Sequence, residues 1–200
     1  MYILLSILLA YLLGSISTST LITRWRAKID IRDVGSGNAG ATNTLRVLGI
    51  RWGLVVLTLD ACKGVLATFL AMALVHHQPS VWFVAGLAVV AGHNWPVFFG
   101  FRGGKGIATT IGVYLVLLPI PALLAGVIAI LLIAVTRYVS LGALSFVILT
   151  PVFCIALGRP VTMILFTVLI AALSVYRHRQ NIVRLVRGQE HRVFSRHHEL

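Results

Sequence analysis

Seven stretches of nearly unbroken apolar residues constrain this chain more than anything else in it. They run from Ile3 to Ile22, Trp52 to Val75, Val81 to Phe99, Ile107 to Leu118, Ala122 to Thr136, Tyr138 to Leu157 and Val161 to Tyr176. A helix needs about 20 apolar residues to cross a bilayer, where every backbone N–H and C=O must be bonded within the segment. The fourth and fifth stretches are short. They are either full spans that borrow flanking residues or a hairpin that dips in and returns around Pro119 and Pro121. Hydrophobic residues are 58% of the total and charged residues only 11%, which excludes a soluble domain built on one core. The pattern predicts an all-α integral membrane protein, a bundle of about seven transmembrane helices forming one polytopic domain over residues 1–200. Met-Tyr-Ile at the start lacks a basic region and the apolar run after it continues too far for a cleaved signal peptide, so it counts as the first span.

Orientation follows from charge. With the N-terminus outside, all 17 Lys and Arg residues except Lys63 and Arg159 fall on the inner side, as positive-inside topology demands. The C-terminus is then cytoplasmic. The net charge of +12 is absorbed by topology and anionic headgroups, and a nucleic-acid partner is not needed.

Against this apolar background the nine residues from Gly35 to Asn43, reading GSGNAGATN, stand out. Such a stretch cannot build a core. Its glycines allow positive φ and let several N–H groups converge, as an anion nest requires. The following ATNTLRVLG has helical character from about Thr42, so a helix N-terminus faces the same point. Ser36, Thr42 and Asn43 add donors, and Arg46 lies three residues after Asn43 on the same helix face. An oxyanion site for phosphate is the reading, against a merely flexible loop. The literal G-x-G-x-x-G lacks the strand that a dinucleotide fold would put before it.

Two further polar clusters fall on the same cytoplasmic side. The first, GHNWPVFFGFRGGKG from Gly92 to Gly106, sets His93 and Asn94 within the third span, a kink at Pro96, and a glycine turn presenting Arg102 and Lys105. A lysine between glycines is accessible from several directions and suits a clamp on a phosphate oxygen. His93 and Asn94 either satisfy each other or a kinked backbone, or they contact a ligand. Asp60 and Lys63, spaced i, i+3 in the second span, read as an ion pair that makes their burial tolerable. The second cluster, YRHRQNIVRLVRGQEHR from Tyr176, is expected to be helical as far as Gly188. His178, Asn181 and Arg184 then share one face, and Ile182, Leu185 and Val186 make an apolar stripe. A basic helix at the interface is the simplest account of that pattern.

Several chemistries are excluded by what is missing. Five acidic residues do not supply the carboxylate array of a metal-dependent phospho-alcohol transferase, so no metal or other cofactor is expected. No histidine has an aspartate five residues later, and G-x-S-x-G is absent. Cys62 and Cys154 sit in apolar segments as small hydrophobes. What remains is a cationic pocket suited to transfer between two phosphate compounds, at least one of them lipid-tailed. A transporter or headgroup-binding protein is the alternative, but only Asp60 and Lys63 are charged within a span and there is no internal repeat.

In their order along the chain, GSGNAGATN, GHNWPVFFGFRGGKG and HRQNIVRLVRGQEHR resemble the signature of the bacterial acyl-phosphate-dependent glycerol-3-phosphate acyltransferase family. The resemblance covers nearly the whole chain. It implies transfer of a fatty acyl group from acyl phosphate to the sn-1 hydroxyl of glycerol 3-phosphate in phospholipid synthesis, at the cytoplasmic face of the bacterial inner membrane. Its partners are then glycerol 3-phosphate, a long-chain acyl phosphate and membrane lipids, with no obligate protein partner. It implies catalytic roles for Ser36, Lys105 and His178. Substrate contacts are implied for Gly37, Asn38, Thr42, Asn43, Arg46, Arg102, Gly104, Gly106, Asn181 and Arg184, with Glu190 in the third motif. Arg137, Tyr138 and Ser140 lie at another cytoplasmic edge, Ser140 as a further substrate contact. A mixed anhydride carries its own leaving group, so no covalent enzyme intermediate is expected. The proton acceptor is either His178 or the substrate phosphate.

Overall fold

The computed structural model describes residues 1 to 193, and Arg196, one of the basic residues assigned to the inner side above, lies outside them. Every regular element among the described residues is helical. In chain order they are α1 (Tyr2–Gly14), α2 (Thr18–Ala27), α3 (Ala41–Leu48), α4 (Ile50–Leu74), α5 (Pro79–Asn94), α6 (Ile107–Leu117), α7 (Pro119–Thr136), α8 (Val139–Ala156), α9 (Val161–Arg177) and α10 (Arg179–Val186). Short 3-10 turns occupy Ile31–Asp33 and Val97–Phe99. The helices form two compact units, one from Met1 to Pro119 and one from Ile120 onward.

Five of the seven apolar stretches have the length and composition to cross a membrane, and α9 with α10, bent by 65°, could make a sixth. α6 stays short: its 11 residues reach only about 16 Å. α7 is a full-length candidate because its helix begins at Pro119, so the prolines occupy the first turn, where their missing N–H costs nothing.

The first apolar stretch is not one helix. It breaks between Gly14 and Thr18, and the Ser15 hydroxyl bonds the Tyr11 carbonyl at 2.9 Å while Lys63 Nζ donates to the Ile16 carbonyl at 2.9 Å. A backbone break inside a membrane needs such partners.

In the first unit α4 is central, packed against α1 and α6, while α1 also lies along α5. Small residues set these distances: a Cβ on Gly14 would run into the Val89 carbonyl, and one on Gly112 into the Ala61 carbonyl. Close backbone approach of this kind is how helices gain packing energy where lipid is as apolar as leucine. In the second unit α8 packs on α9 around buried Val147, Cys154, Phe166 and Ile170.

Candidate active site

The glycine stretch forms a loop that closes onto the start of α3. Asn43, in the first turn of that helix and fully buried, is its pin. Its amide donates to the Ile31 and Val34 carbonyls, both at 3.0 Å, and its Oδ1 accepts the Ser36 N–H at 2.9 Å. Gly35 has φ +61, and a Cβ there would strike Asn43 Oδ1, so no other residue fits this turn without strain. Gly37 is also left-handed, at φ +68, and its N–H returns to the Val34 carbonyl at 3.1 Å. The outcome is an exposed Ser36, half-buried Asn38 and Thr42, and an exposed Arg46 further along α3. Asn43 and Arg46 therefore differ: one is turned into the loop and the other reaches outward.

Arg32, which the sequence reading counted only as a topogenic charge, ties this loop to the Gly92–Gly106 cluster. Its guanidinium forks onto Asp30, Nε to Oδ1 at 2.8 Å and Nη2 to Oδ2 at 2.6 Å, while Nη1 donates to the Phe99 carbonyl at 2.7 Å. The same group lies 6.0 Å from the Phe99 ring centre. Arg24 adds a third charged contact to Asp30 at 2.7 Å. The hydrogen bond from Arg32 holds the Asp30 carboxyl far below the usual carboxylate range, and Asp30 in turn raises Arg32. At the surface, Arg102 lies 3.7 Å from Asp33.

The Gly92–Gly106 cluster packs under the glycine loop. α5 ends at Asn94, two residues before Pro96, and the chain turns back so that the Gly104 N–H meets the His93 carbonyl at 3.1 Å. Gly104 is buried against the Ala39 carbonyl of the glycine loop and the His93 ring, where a Cβ would collide with both. Lys105 follows, half-buried, and Gly106 at φ +80 opens α6, whose first N–H groups point back along the helix axis. The structure thus joins the first two motifs into one polar surface.

His93 and Asn94 do not satisfy each other. His93 Nδ1 lies 3.5 Å from Asp60 Oδ1, and neither polar atom of the Asn94 amide has a hydrogen-bond partner among the described residues. Asp60 and Lys63 form the expected ion pair at 2.8 Å.

The third motif lies in the second unit. The helix expected from Tyr176 to Gly188 is shorter: α9 runs on to Arg177, the chain bends at His178, and α10 covers Arg179–Val186. His178 is buried at the bend, with Nδ1 2.8 Å from the Ser174 carbonyl. A carbonyl only accepts, so Nδ1 carries the proton and Nε2 of the neutral ring is the acceptor. Asn181 and Arg184 share a side as predicted, because one buried carboxylate collects both: Asn181 Nδ2 donates to Glu190 Oε1 at 2.8 Å and Arg184 Nε to Oε2 at 2.9 Å. Ser140 is buried in the first turn of α8. The chain after α10 is strapped down further by the Val193 N–H on the Arg137 carbonyl at 2.8 Å.

Among the described residues no three His, Cys, Asp or Glu side chains gather as a metal centre would require. The acids Asp30, Asp60 and Glu190 each hold side-chain partners instead.

Residues 4–188 match the family model described as glycerol-3-phosphate acyltransferase. A curated glycerol-3-phosphate acyltransferase of Shouchella clausii is 52% identical over 197 residues, 96% of each chain. One from Aquifex aeolicus is 42% identical over 186 residues, 93% of this chain and 96% of the relative. Among solved structures, the integral membrane glycerol 3-phosphate acyltransferase PlsY in its glycerol 3-phosphate form superposes with a TM-score of 0.90 at 41% identity, covering 96% of this chain and 95% of that one. Its lysophosphatidic acid form gives 0.86 at 40% identity, over 95% and 94%. Helices of the right lengths, a pinned glycine loop and near-complete coverage by these relatives lead to one statement: this chain belongs to the glycerol-3-phosphate acyltransferase family, integral membrane acyltransferases of phospholipid biosynthesis.

Proposed function

We infer that this chain, acting as one enzyme over residues 1–200, transfers a fatty acyl group from an acyl phosphate to the sn-1 hydroxyl of glycerol 3-phosphate. Lysophosphatidic acid and inorganic phosphate leave. The solved relative's glycerol 3-phosphate and lysophosphatidic acid forms support the acceptor and the product. One observation carries the reading: two glycine turns locked together by Arg32 present Lys105 at the N-terminus of α6, an arrangement that favours a bound phosphate. The enzyme sits in the bacterial inner membrane with seven spans, its N-terminus outside and its site on the cytoplasmic face.

In this reading the glycerol hydroxyl attacks the acyl carbonyl, the acyl C–O bond to phosphate breaks, and the electron pair leaves with the phosphate. Lys105, Arg102, Gly104, Gly106 and the Ser36–Gly37–Asn38 loop hold the departing phosphate. Arg46, Thr42, Ser140, Asn181 and Arg184 hold glycerol 3-phosphate, and Asn43 keeps the loop in shape. The hydroxyl proton goes to His178 Nε2, a choice supported by the Nδ1–H bond to Ser174.

Phosphate release by the purified protein tests this. Palmitoyl phosphate with glycerol 3-phosphate in EDTA gives phosphate and lysophosphatidic acid, palmitoyl-CoA in its place gives no lysophosphatidic acid, and omission of the acceptor gives no phosphate burst; a burst would mean an acyl-enzyme. Lys105→Ala lowers kcat by about 10²–10³-fold, the range for losing one stabiliser of developing charge. His178→Ala lowers kcat by at least about 10²-fold. Loss of glycerol 3-phosphate affinity alone would leave His178 a binding residue.

A further inference from the structure

One buried polar cluster plays no part in the reaction as assigned above. α4 contributes Asp60 and Lys63, α2 contributes Thr18 and α5 contributes His93. Asp60 is 1% exposed, and its Oδ1 accepts from Thr18 Oγ1 at 2.8 Å, lies 2.8 Å from Lys63 Nζ and 3.5 Å from His93 Nδ1. A buried ion pair needs its charges matched, and the lysine with the threonine already does this for Asp60. A histidine drawn to the same oxygen is surplus to that need.

The far edge of the imidazole gives it a purpose. A Cβ built on Gly104 would collide with His93 Nε2 on one side and the Ala39 carbonyl on the other. The backbone is fastened at the same place, by the Gly104 N–H on the His93 carbonyl at 3.1 Å, and Gly103 is packed against the His93 and Asn94 carbonyls and the Pro96 ring. The turn leading into Lys105 is therefore seated between the His93 ring and the glycine loop, with no side chain of its own to take up slack. In an interior packed to crystal density, a displaced ring displaces the turn.

We propose that His93, held by Asp60, is a positioning residue whose imidazole sets how deep the Gly103–Gly104 turn lies and thereby where Lys105 stands. The proposal rests on the assignment of Lys105 to the departing phosphate, and it gives the Asp60–His93 contact a part in turnover rather than in stability alone.

A double-mutant cycle between His93→Asn and Lys105→Ala, read by phosphate release, tests it. Asparagine keeps a donor near the Nδ1 position and removes the ring edge that meets Gly104. His93→Asn lowers kcat by about 10–100-fold, as a misplacement of up to 1 Å does, and changes KM for glycerol 3-phosphate by less than about threefold. Its melting temperature stays near that of the unsubstituted protein. In the Lys105→Ala background the same change costs less than about threefold, because the cation it positions is gone. A full-sized loss in that background, or an unchanged kcat for His93→Asn, overturns the proposal and leaves Lys105 in its role. Lys105→Ala at the unsubstituted rate overturns both. His93→Gln keeps an amide near the Nε2 position and gives up the Nδ1 contact with Asp60; it gives a smaller loss with the same coupling, and it carries the cycle if His93→Asn does not fold.

Discussion

Asn43 and Arg32 show how two side chains shape a site that others serve. Asn43 uses both amide hydrogens and its oxygen on the loop, so the loop's geometry depends on one residue of α3. Arg32 joins the loop to the next turn through a bidentate pair and a carbonyl bond, a geometry that lysine cannot reproduce. The pair also sets a pH window. Asp30 has its carboxyl lowered by Arg32, so its stabilisation is complete above the unfolded value of about 4 and is lost only as pH falls through the depressed folded value. Thermal melting of the protein and of Asp30→Asn across pH checks this: the difference between them is constant from about pH 5 to 8 and shrinks below about 4. A difference that vanished near neutrality would remove the ion pair as its source.

At the scale of the element, α6 links packing to chemistry. It begins at Ile107, two residues after Lys105, and its position is set by Gly112 against the Ala61 carbonyl and by Gly64 of α4 against the Thr109 carbonyl. Gly112→Ala forces α4 and α6 apart at a contact with backbone on the far side, which cannot rotate away. Overpacking of this kind costs about 1–3 kcal/mol, read as a lower melting temperature. Because α6 carries Lys105 at its start, kcat falls too, while Gly126→Ala, at a position with open space around it, changes neither. Equal effects from the two substitutions would show that the α4–α6 distance is not what matters. α10 gives a second case: its orientation after the bend at His178 turns Asn181 and Arg184 toward Glu190, so a carboxylate beyond the helix aligns two residues within it.

For the whole molecule, the two compact units divide the motifs, with the glycine loop and the Lys105 turn in the first and His178, Asn181 and Arg184 in the second. The seven-span topology proposed above would put the first residues outside and the basic tail in the cytoplasm. With Cys62 and Cys154 replaced by alanine, Tyr2→Cys reacts with a membrane-impermeant maleimide in intact cells and Gln189→Cys reacts only after permeabilisation. Reaction of both without permeabilisation would make the number of spans even.

The apolar stretches, the charge asymmetry and the glycine loop could be read from the residues alone, because periodicity, composition and turn chemistry are local. The start of α3 was legible for the same reason, and a break at Pro96 was read as a kink within a span running to Phe99, where α5 instead ends at Asn94. The break after Gly14 was not, since the Ser and Thr residues of GSISTST also fit within a helix, where they bond a carbonyl one turn back; it is met by a lysine 47 residues away. Nor was Arg32, which in one dimension is indistinguishable from a topogenic charge and acts only where Asp30 and Phe99 converge on it. His93 paired with Asp60 rather than its neighbour Asn94 because successive residues on a helix do not face each other. What the sequence by itself determined is the all-helical membrane character and the identity of the polar motifs. Which charges fasten the loops and which residues stand beside Lys105 was decided only by the tertiary structure, because hydrogen bonds and ion pairs depend on distances between segments that no local pattern carries.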